Sequence, residues 1–140
     1  MQTICIQLSM QVMTNISVIL ASGGYNGSFL STVELLHTNG FRICSLPDLP
    51  FGRRWLSQTG VTACGGVNDA SWSTCHTLSS TGSWEVSHNL AQARGSHSAW
   101  ASPLGTILIG GFDSSGRTTT EILMENGDTV PGFNLDYDTQ

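Results

Sequence analysis

Histidines are the residues of this sequence best suited to catalysis or metal binding. Three of the four, His76, His88 and His97, lie in the same stretch as Cys75. No two of these side chains have the helix-face or CxxC spacing that zinc sites use. We therefore expect polar side chains on strand faces and loops, and we predict no metal site.

A nucleophile is equally hard to find. Ser96-His97-Ser98 lacks the sharp turn of a nucleophile elbow, and neighbours in a strand point to opposite faces, so a Ser–His dyad within this triplet is not expected. Asp136 and Asp138 could share a strand face, but we interpret them as solvated acids. Asp113 alone is thin support for a cation site. These patterns do not predict an enzyme.

Charge excludes several function classes. The 140 residues carry five basic and ten acidic side chains, for a net charge of −5, and none of the basic residues is lysine. A lysine Schiff base and a P-loop are therefore excluded. A nucleic-acid partner is not expected, because phosphate binding needs clustered basic residues. No apolar run of about 20 residues predicts a membrane span, and the sequence leaves the compartment open.

The cysteines and the glycosylation motifs bear on that compartment. Cys64 and Cys75 flank one hairpin, so a cross-strand disulfide between them is a candidate, whereas Cys5 and Cys44 fit neither a dense disulfide scaffold nor a CxxC site. Two N-glycosylation motifs, Asn15-Ile16-Ser17 and Asn26-Gly27-Ser28, matter only if the chain is secreted.

One sequence motif occurs three times along the chain. Each copy is a short apolar run that ends in two glycines, followed by a polar loop and another strand-like segment. Glu34 and Glu121 each lie ten residues after the second glycine of their copy. The glycine pairs are Gly23-Gly24, Gly65-Gly66 and Gly110-Gly111. Self-similarity at this spacing predicts a repeat protein.

Each copy belongs to a unit of four predicted strands. Alternating apolar and polar residues predict a strand over 3–12, and Asn39-Gly40 predicts a hairpin turn. The units extend over about 3–45, 55–87 and 97–140, and no window has the apolar period of a helix. Three units of four antiparallel strands predict an all-β fold, a β-propeller of about three blades with an incomplete ring, in one partial domain over 1–140. Glycines let neighbouring backbones approach each other, and the apolar runs should pack between blades.

The repeats resemble those of the kelch family over nearly the whole chain. The resemblance rests on the three glycine pairs, on Glu34 and Glu121, on Trp84 and on the arginines that follow each linking segment. The sequence departs from the family where a tyrosine is usual, at Val33, Cys75 and Thr120. A complete kelch domain has more blades, so we expect either a fragment of a longer protein or a homodimer that completes a six-bladed ring.

The resemblance implies a non-catalytic module that binds a protein or peptide partner through blade loops. The implied contact residues are Tyr25, Asn26, Phe29, Arg53, Arg54, Asn68, Trp72, Arg94, Phe112, Asp113 and Arg117. Exposed arginine and aromatic side chains are typical of binding hot spots. An alternative role for Arg94, and for one of the Arg53 and Arg54 pair, is to tie adjacent blades together. The tryptophans Trp55, Trp84 and Trp100 are expected to pack between blades.

An enzymatic alternative comes from the same resemblance. Some copper-radical oxidases of sugars and alcohols have kelch-like propellers, and they need two tyrosines, a cysteine linked to one of them, and histidine ligands. The two tyrosines here, Tyr25 and Tyr137, lie in no obvious ligand cluster. We therefore expect no cofactor and no catalysis.

Overall fold

Short antiparallel strands make up the regular structure. The computed structural model describes residues 18–39, 41–68, 72–112 and 119–135. Over these ranges the strands are β1 Val18–Ser22, β2 Val33–His37, β3 Arg42–Leu46, β4 Ser57–Thr59, β5 Thr62–Cys64, β6 Thr74–Leu78, β7 Trp84–Asn89, β8 Ser98–Ser102, β9 Gly105–Ile109, β10 Thr119–Leu123 and β11 Thr129–Asn134. Within these ranges no helix forms, and so none is present that could cross a membrane. The all-β expectation is confirmed.

The described strands form three sheets in which each strand pairs with its neighbours along the chain. Their orders are β1-β2-β3, β4-β5-β6-β7 and β8-β9-β10-β11. The second and third sheets have the predicted four strands, over 57–89 and 98–134. The strand predicted over 3–12 lies outside the described residues, and so does Gly40 of the predicted turn.

The apolar core lies between neighbouring sheets. One cluster joins the first sheet to the second through Val33, Leu46, Ala63 and Leu78. The other joins the second sheet to the third through Cys64, Cys75, Leu90, Leu108 and Leu123. Leu20, Ala63 and Leu108, one from each apolar run before a glycine pair, all pack in these clusters, as expected.

Trp84 adds a contact between the first two sheets. Its ring packs against the first core cluster, and its indole Nε1 donates a hydrogen bond of 2.8 Å to the carbonyl of Pro47. Trp55 and Trp100 differ, because about half of each side chain is exposed. The expectation that all three tryptophans pack between blades is therefore right for Trp84 and wrong for Trp55 and Trp100.

A disulfide joins the two central strands of the second sheet. Cys64 and Cys75 lie directly opposite each other in the β5–β6 register, and their sulfurs are bonded. Both cysteines are buried. The cross-strand disulfide that the sequence offered as a candidate is therefore present.

The glycine pairs permit the close approach of neighbouring sheets. Gly23 and Gly65 have φ of +67° and +59°, a conformation that other residues rarely adopt. A Cβ on Gly23 would lie 2.6 Å from the carbonyl oxygen of Arg53, and one on Gly65 would lie 2.4 Å from that of Arg94. The linking segment between sheets therefore runs against the glycines themselves.

Arg53 and Arg94 are not surface residues. Both have a relative exposure of 0%. The expectation that they belong to an exposed binding surface is wrong, and the alternative, in which such arginines tie adjacent units together, describes their contacts. We call the contacts of Arg53 the first junction and those of Arg94 the second junction.

The first junction connects the first sheet to the second. The carbonyl of Arg53 accepts a hydrogen bond of 2.8 Å from the N–H of Gly24, in the first repeat. Its guanidinium reaches the second repeat, where Nη1 donates to the carbonyl of Gly65 at 3.0 Å and Nη2 lies 3.1 Å from Nδ1 of His76. Burial lowers the pKa of Arg53 to about 10, so its guanidinium remains charged at neutral pH.

The second junction repeats this arrangement one unit later. The carbonyl of Arg94 accepts from the N–H of Gly66 at 2.9 Å, and Nη1 donates to the carbonyl of Gly110 at 2.7 Å. Here Nη2 pairs with a carboxylate, that of Glu121, at 2.6 Å. The other oxygen of Glu121 accepts from the N–H of Ala91. Glu121 therefore holds both the side chain of Arg94 and the linking segment that contains Arg94.

Candidate binding surface

Five exposed or partly exposed side chains from three repeats form one group, which we call the aromatic–arginine surface. They are Tyr25, Phe29, Arg54, Trp55 and Phe112. Tyr25 and Phe112 each follow a glycine pair, whereas Arg54 and Trp55 lie between the first junction and β4. Tyr25, Trp55 and Phe112 are among the exposed large apolar residues. Four of the five residues were predicted from the sequence as binding residues, and Trp55 was not.

Arg54 lies at the centre of this surface. The central carbon of its guanidinium is 4.0 Å from the ring centroid of Trp55, 4.8 Å from that of Tyr25 and 5.7 Å from that of Phe29. Such cation–π contacts hold a guanidinium in place without neutralising it. No carboxylate contacts Arg54 within the described ranges, and its Nε is buried without a hydrogen-bond partner there. Among the described residues, aromatic rings rather than carboxylates therefore surround the charge of Arg54.

Trp55 depends on an unusual backbone conformation. Its φ is +58°, in the left-handed region that side chains other than glycine seldom occupy. The ring is 45% exposed and lies 5.6 Å from the ring of Phe112. Ser96, at the equivalent place after the second junction, has φ of +52°, and its N–H donates to the carbonyl of Trp55 at 2.8 Å. The tryptophan thus belongs to a repeated turn that only comparison of the two linking segments would have indicated.

Paired backbone hydrogen bonds make the surface rigid. Arg54 and Val67 exchange two hydrogen bonds, of 2.9 and 2.8 Å, across an antiparallel bridge. Gly95 and Phe112 exchange two of 3.0 and 2.9 Å in the equivalent bridge of the next unit. Loops held in this way present their side chains in a fixed arrangement before any partner arrives.

The remaining predicted contact residues lie apart from this group or outside the described residues. Trp72 stacks on Phe51 with ring centroids 4.7 Å apart, and Asn68 donates to the carbonyl of Gly52 at 3.3 Å. Asn26 is exposed next to Tyr25. Asp113 and Arg117 lie outside the described residues.

The histidines are bound to protein groups rather than grouped as ligands. His88 Nε2 lies 2.8 Å from the carbonyl of Met124, and His76 contacts Arg53 as described. His97 Nε2 lies 2.6 Å from Oγ of Ser57, in the neighbouring sheet. No three His, Cys, Asp or Glu side chains gather as metal ligands in the part of the chain that the structure describes.

The Ser57–His97 pair has the atoms of a nucleophile and a base, but not their surroundings. Burial, and then the charge of Arg94, lower the pKa of His97 to about 4, so the imidazole is neutral at pH 7. Both side chains are only 8% exposed. Nδ1 of His97 has no hydrogen-bond partner among the described residues, so no third group orients the ring. The pair therefore joins two sheets, a contact between distant residues that the sequence did not indicate.

Comparison with known proteins supports the fold. No protein-family model matches the chain, and no curated protein matches it. Among solved structures, the chain is similar to that of YjhT, with 15% sequence identity and a TM-score of 0.66. The match covers 86% of this chain but 44% of the YjhT chain, so this chain spans less than half the length of that protein. At this identity the likeness concerns the fold alone.

Proposed function

We propose that this chain is part of a kelch-type β-propeller and binds a protein or peptide partner, without catalysis, through the aromatic–arginine surface. Three meander sheets joined by glycine-lined junctions support the propeller assignment. The similar structure is more than twice as long as the matched segment. The ring would therefore be completed by further repeats of a longer protein or by a second copy of the chain.

One observation carries the binding proposal: the guanidinium of Arg54, which no carboxylate of the described residues contacts, lies among three aromatic rings. The rings offer apolar area on rigid side chains, and the guanidinium offers forked hydrogen bonds to a carboxylate. A peptide that presents an apolar side chain next to Asp, Glu or a C-terminal carboxylate would use both. Arginine and aromatic side chains in such an arrangement are typical of hot spots.

The oxidase alternative finds less support in the described residues. Such an enzyme needs a cysteine linked to a tyrosine, and the sulfurs of Cys64 and Cys75 are bonded to each other. Tyr25, the described tyrosine, contacts Phe29 and Arg54 rather than a group of ligands. We therefore retain binding as the proposed function.

Selection from a displayed library of random peptides tests the proposal. The immobilised chain should enrich acidic peptides that contain an apolar residue. Arg54→Ala and Trp55→Ala should each weaken binding of a selected peptide at least tenfold, about 1.4 kcal/mol. Arg54→Lys keeps the charge but loses the planar fork, and it should also weaken binding.

Trp100→Ala is the matched control, because Trp100 is a similarly exposed tryptophan on β8. This variant should bind as the native chain does, and circular dichroism should show the same β-rich spectrum for all variants. Equal affinity of the Arg54, Trp55 and Trp100 variants would contradict the proposed surface. Failure to enrich any peptide over a blank support would contradict peptide binding itself.

A further inference from the structure

The glycosylation motif Asn26-Gly27-Ser28 lies in an exposed loop after the first glycine pair. All three residues are exposed. Gly27 has φ of +109°, and a Cβ built on it would meet no atom within 4 Å. The loop therefore projects into open space, as attachment of a bulky glycan requires.

The motif is also folded into a local hydrogen-bonded turn. The hydroxyl of Ser28 donates to Oδ1 of Asn26 at 3.4 Å, and the N–H of Asn26 donates to the carbonyl of Ser28 at 3.2 Å. The hydroxyl and the side-chain amide thus face each other. Within the described residues, the turn uses the oxygen of this amide, and no hydrogen bond of the amide nitrogen Nδ2 would have to be broken.

The disulfides give a second, independent observation. Cys64 and Cys75 are bonded to each other in the core between two sheets, and Cys44 is disulfide-bonded as well. No free cysteine occurs in the described part of the chain. Buried structural disulfides form and persist in secretory and extracellular compartments, which are oxidising, and are rare in the cytosol. Asparagine glycosylation takes place in the same secretory compartment.

We propose that this chain folds in a secretory pathway and carries an N-linked glycan on Asn26. In the reaction, Nδ2 forms a bond to the anomeric carbon of a lipid-diphosphate-linked oligosaccharide. The bond from that carbon to the diphosphate oxygen breaks, and one amide proton leaves to a base of the glycosyltransferase. The donor and the transferase belong to the host cell, and the chain supplies only the acceptor.

A glycan on Asn26 would stand at the edge of the aromatic–arginine surface. Asn26 is adjacent to Tyr25, whose ring lies 4.8 Å from the guanidinium carbon of Arg54. The glycan would block access to Arg54 from the side of Tyr25. Partners would then have to contact Arg54 from the side of Phe112. This second part of the inference rests on the proposed function, whereas the modification itself does not.

Expression of the chain behind a cleavable signal peptide in mammalian cells tests the modification. Native protein should lose mass on treatment with a peptide N-glycosidase, and release should convert Asn26 to Asp. Because the first arginine is Arg42, one tryptic peptide contains both motifs, and peptide fragmentation must locate the change. Ser28→Ala should abolish the modification at Asn26, whereas Ser28→Thr keeps the motif and should retain it.

Glycan positions are mapped in both the secreted protein and the protein retained in the cells. Glycan transfer takes place before export, so a variant that folds poorly and is retained still shows whether Asn26 is modified. Chymotrypsin cleaves after Trp72, between the bonded cysteines, so unreduced digests should contain two peptides joined through Cys64 and Cys75. Unmodified Asn26 in cells that glycosylate a co-expressed control protein would overturn the proposal. So would reduced Cys64 and Cys75 in the secreted chain.

Binding of a selected acidic peptide tests the effect of the glycan on partner access separately from the modification itself. Ser28→Thr protein, with its glycan on Asn26, should bind several-fold more weakly than Ser28→Ala protein, which has no glycan at that residue. Equal binding would overturn the effect on partner access and leave the modification established by mapping. Loss of the Arg54→Ala effect in the Ser28→Ala background would instead overturn the proposed surface.

Discussion

The guanidinium of Arg53 lies 3.1 Å from Nδ1 of His76, in the place where the next junction pairs Arg94 with the carboxylate of Glu121. His76 and Glu121 are equivalent, each ten residues after the second glycine of its repeat. The two junctions share their backbone contacts and differ in charge. Within the described residues, the second pairs its buried cation with an anion and the first does not.

This difference predicts that His76→Glu stabilises the chain. A carboxylate at position 76 would accept from the buried guanidinium of Arg53, and a hydrogen bond between charged groups is worth about 1.5–3 kcal/mol. We expect the free energy of unfolding in urea to rise by about 1–2 kcal/mol. Ser73→Glu, which adds the same charge at an exposed site, should leave stability nearly unchanged. A destabilised His76→Glu protein would show that the junction prefers a neutral partner.

Stability should fall in mild acid because two buried histidines resist protonation. Burial and the charge of Arg53 lower the pKa of His76, and burial and the charge of Arg94 lower that of His97 to about 4. Unfolded histidine titrates near 6.5, so between pH 6.5 and pH 4 the unfolded chain binds more protons. Stability is therefore full above pH 6.5 and decreases as the pH falls towards 4, by about 3 kcal/mol for His97.

Denaturation curves from pH 7.5 to 4 measure this loss. His97→Gln should reduce the slope, since the variant has no ring to protonate. If His97→Gln leaves the dependence of stability on pH unchanged, protonation of His97 does not cause the loss of stability.

The glycine at the second junction should tolerate no side chain. Gly65→Ala places a methyl group 2.4 Å from the carbonyl oxygen of Arg94, in addition to the cost of its positive φ. Gly27→Ala also places a side chain at a positive φ, +109°, at a cost of about 1–3 kcal/mol, but its Cβ meets no atom within 4 Å. Gly65→Ala should therefore lower the melting temperature more than Gly27→Ala does. Similar melting temperatures would mean that the linking segment can move away from Gly65.

The neighbouring arginines of the linking segments should separate stability from binding. Arg94→Ala leaves the buried carboxylate of Glu121 unpaired and should cost about 3–5 kcal/mol. Arg54→Ala removes cation–π contacts of a partly exposed side chain and should cost about 1 kcal/mol, while peptide binding is lost. Urea unfolding, with peptide titration of each folded variant, checks both. Comparable destabilisation by the two substitutions would place Arg54 in the core rather than on a surface.

Much of the fold could be predicted because the repeated sequence motifs determine the strands and the turns of each sheet. Glycine pairs, alternating apolar residues and the spacing of Cys64 and Cys75 are local patterns with direct structural causes. The directions in which the side chains of Arg53 and Arg54 point could not be predicted from such local patterns. Neighbouring side chains in an extended segment point to opposite sides, so one is buried and the other lies among aromatic rings, and the sequence does not say which.

Contacts between sheets could not be predicted from local patterns either. Ser57 and His97 are 40 residues apart, and no local pattern connects them. Trp55 was expected to pack between blades, but its backbone is left-handed and its ring lies next to Phe112 instead. Comparison of Arg53-Arg54-Trp55 with Arg94-Gly95-Ser96 would have indicated a shared turn, although not the direction of the indole ring.

The junctions give the series of repeats a direction. At each junction the arginine carbonyl faces the glycine pair behind it, and the guanidinium faces the glycine pair ahead. The two surfaces that meet are therefore different, and the contact is head-to-tail. Two copies that meet through identical faces could not reproduce it, whereas a repeat added in the same sense could. Any assembly built on these contacts, within one chain or between chains, must therefore run in a single rotational sense.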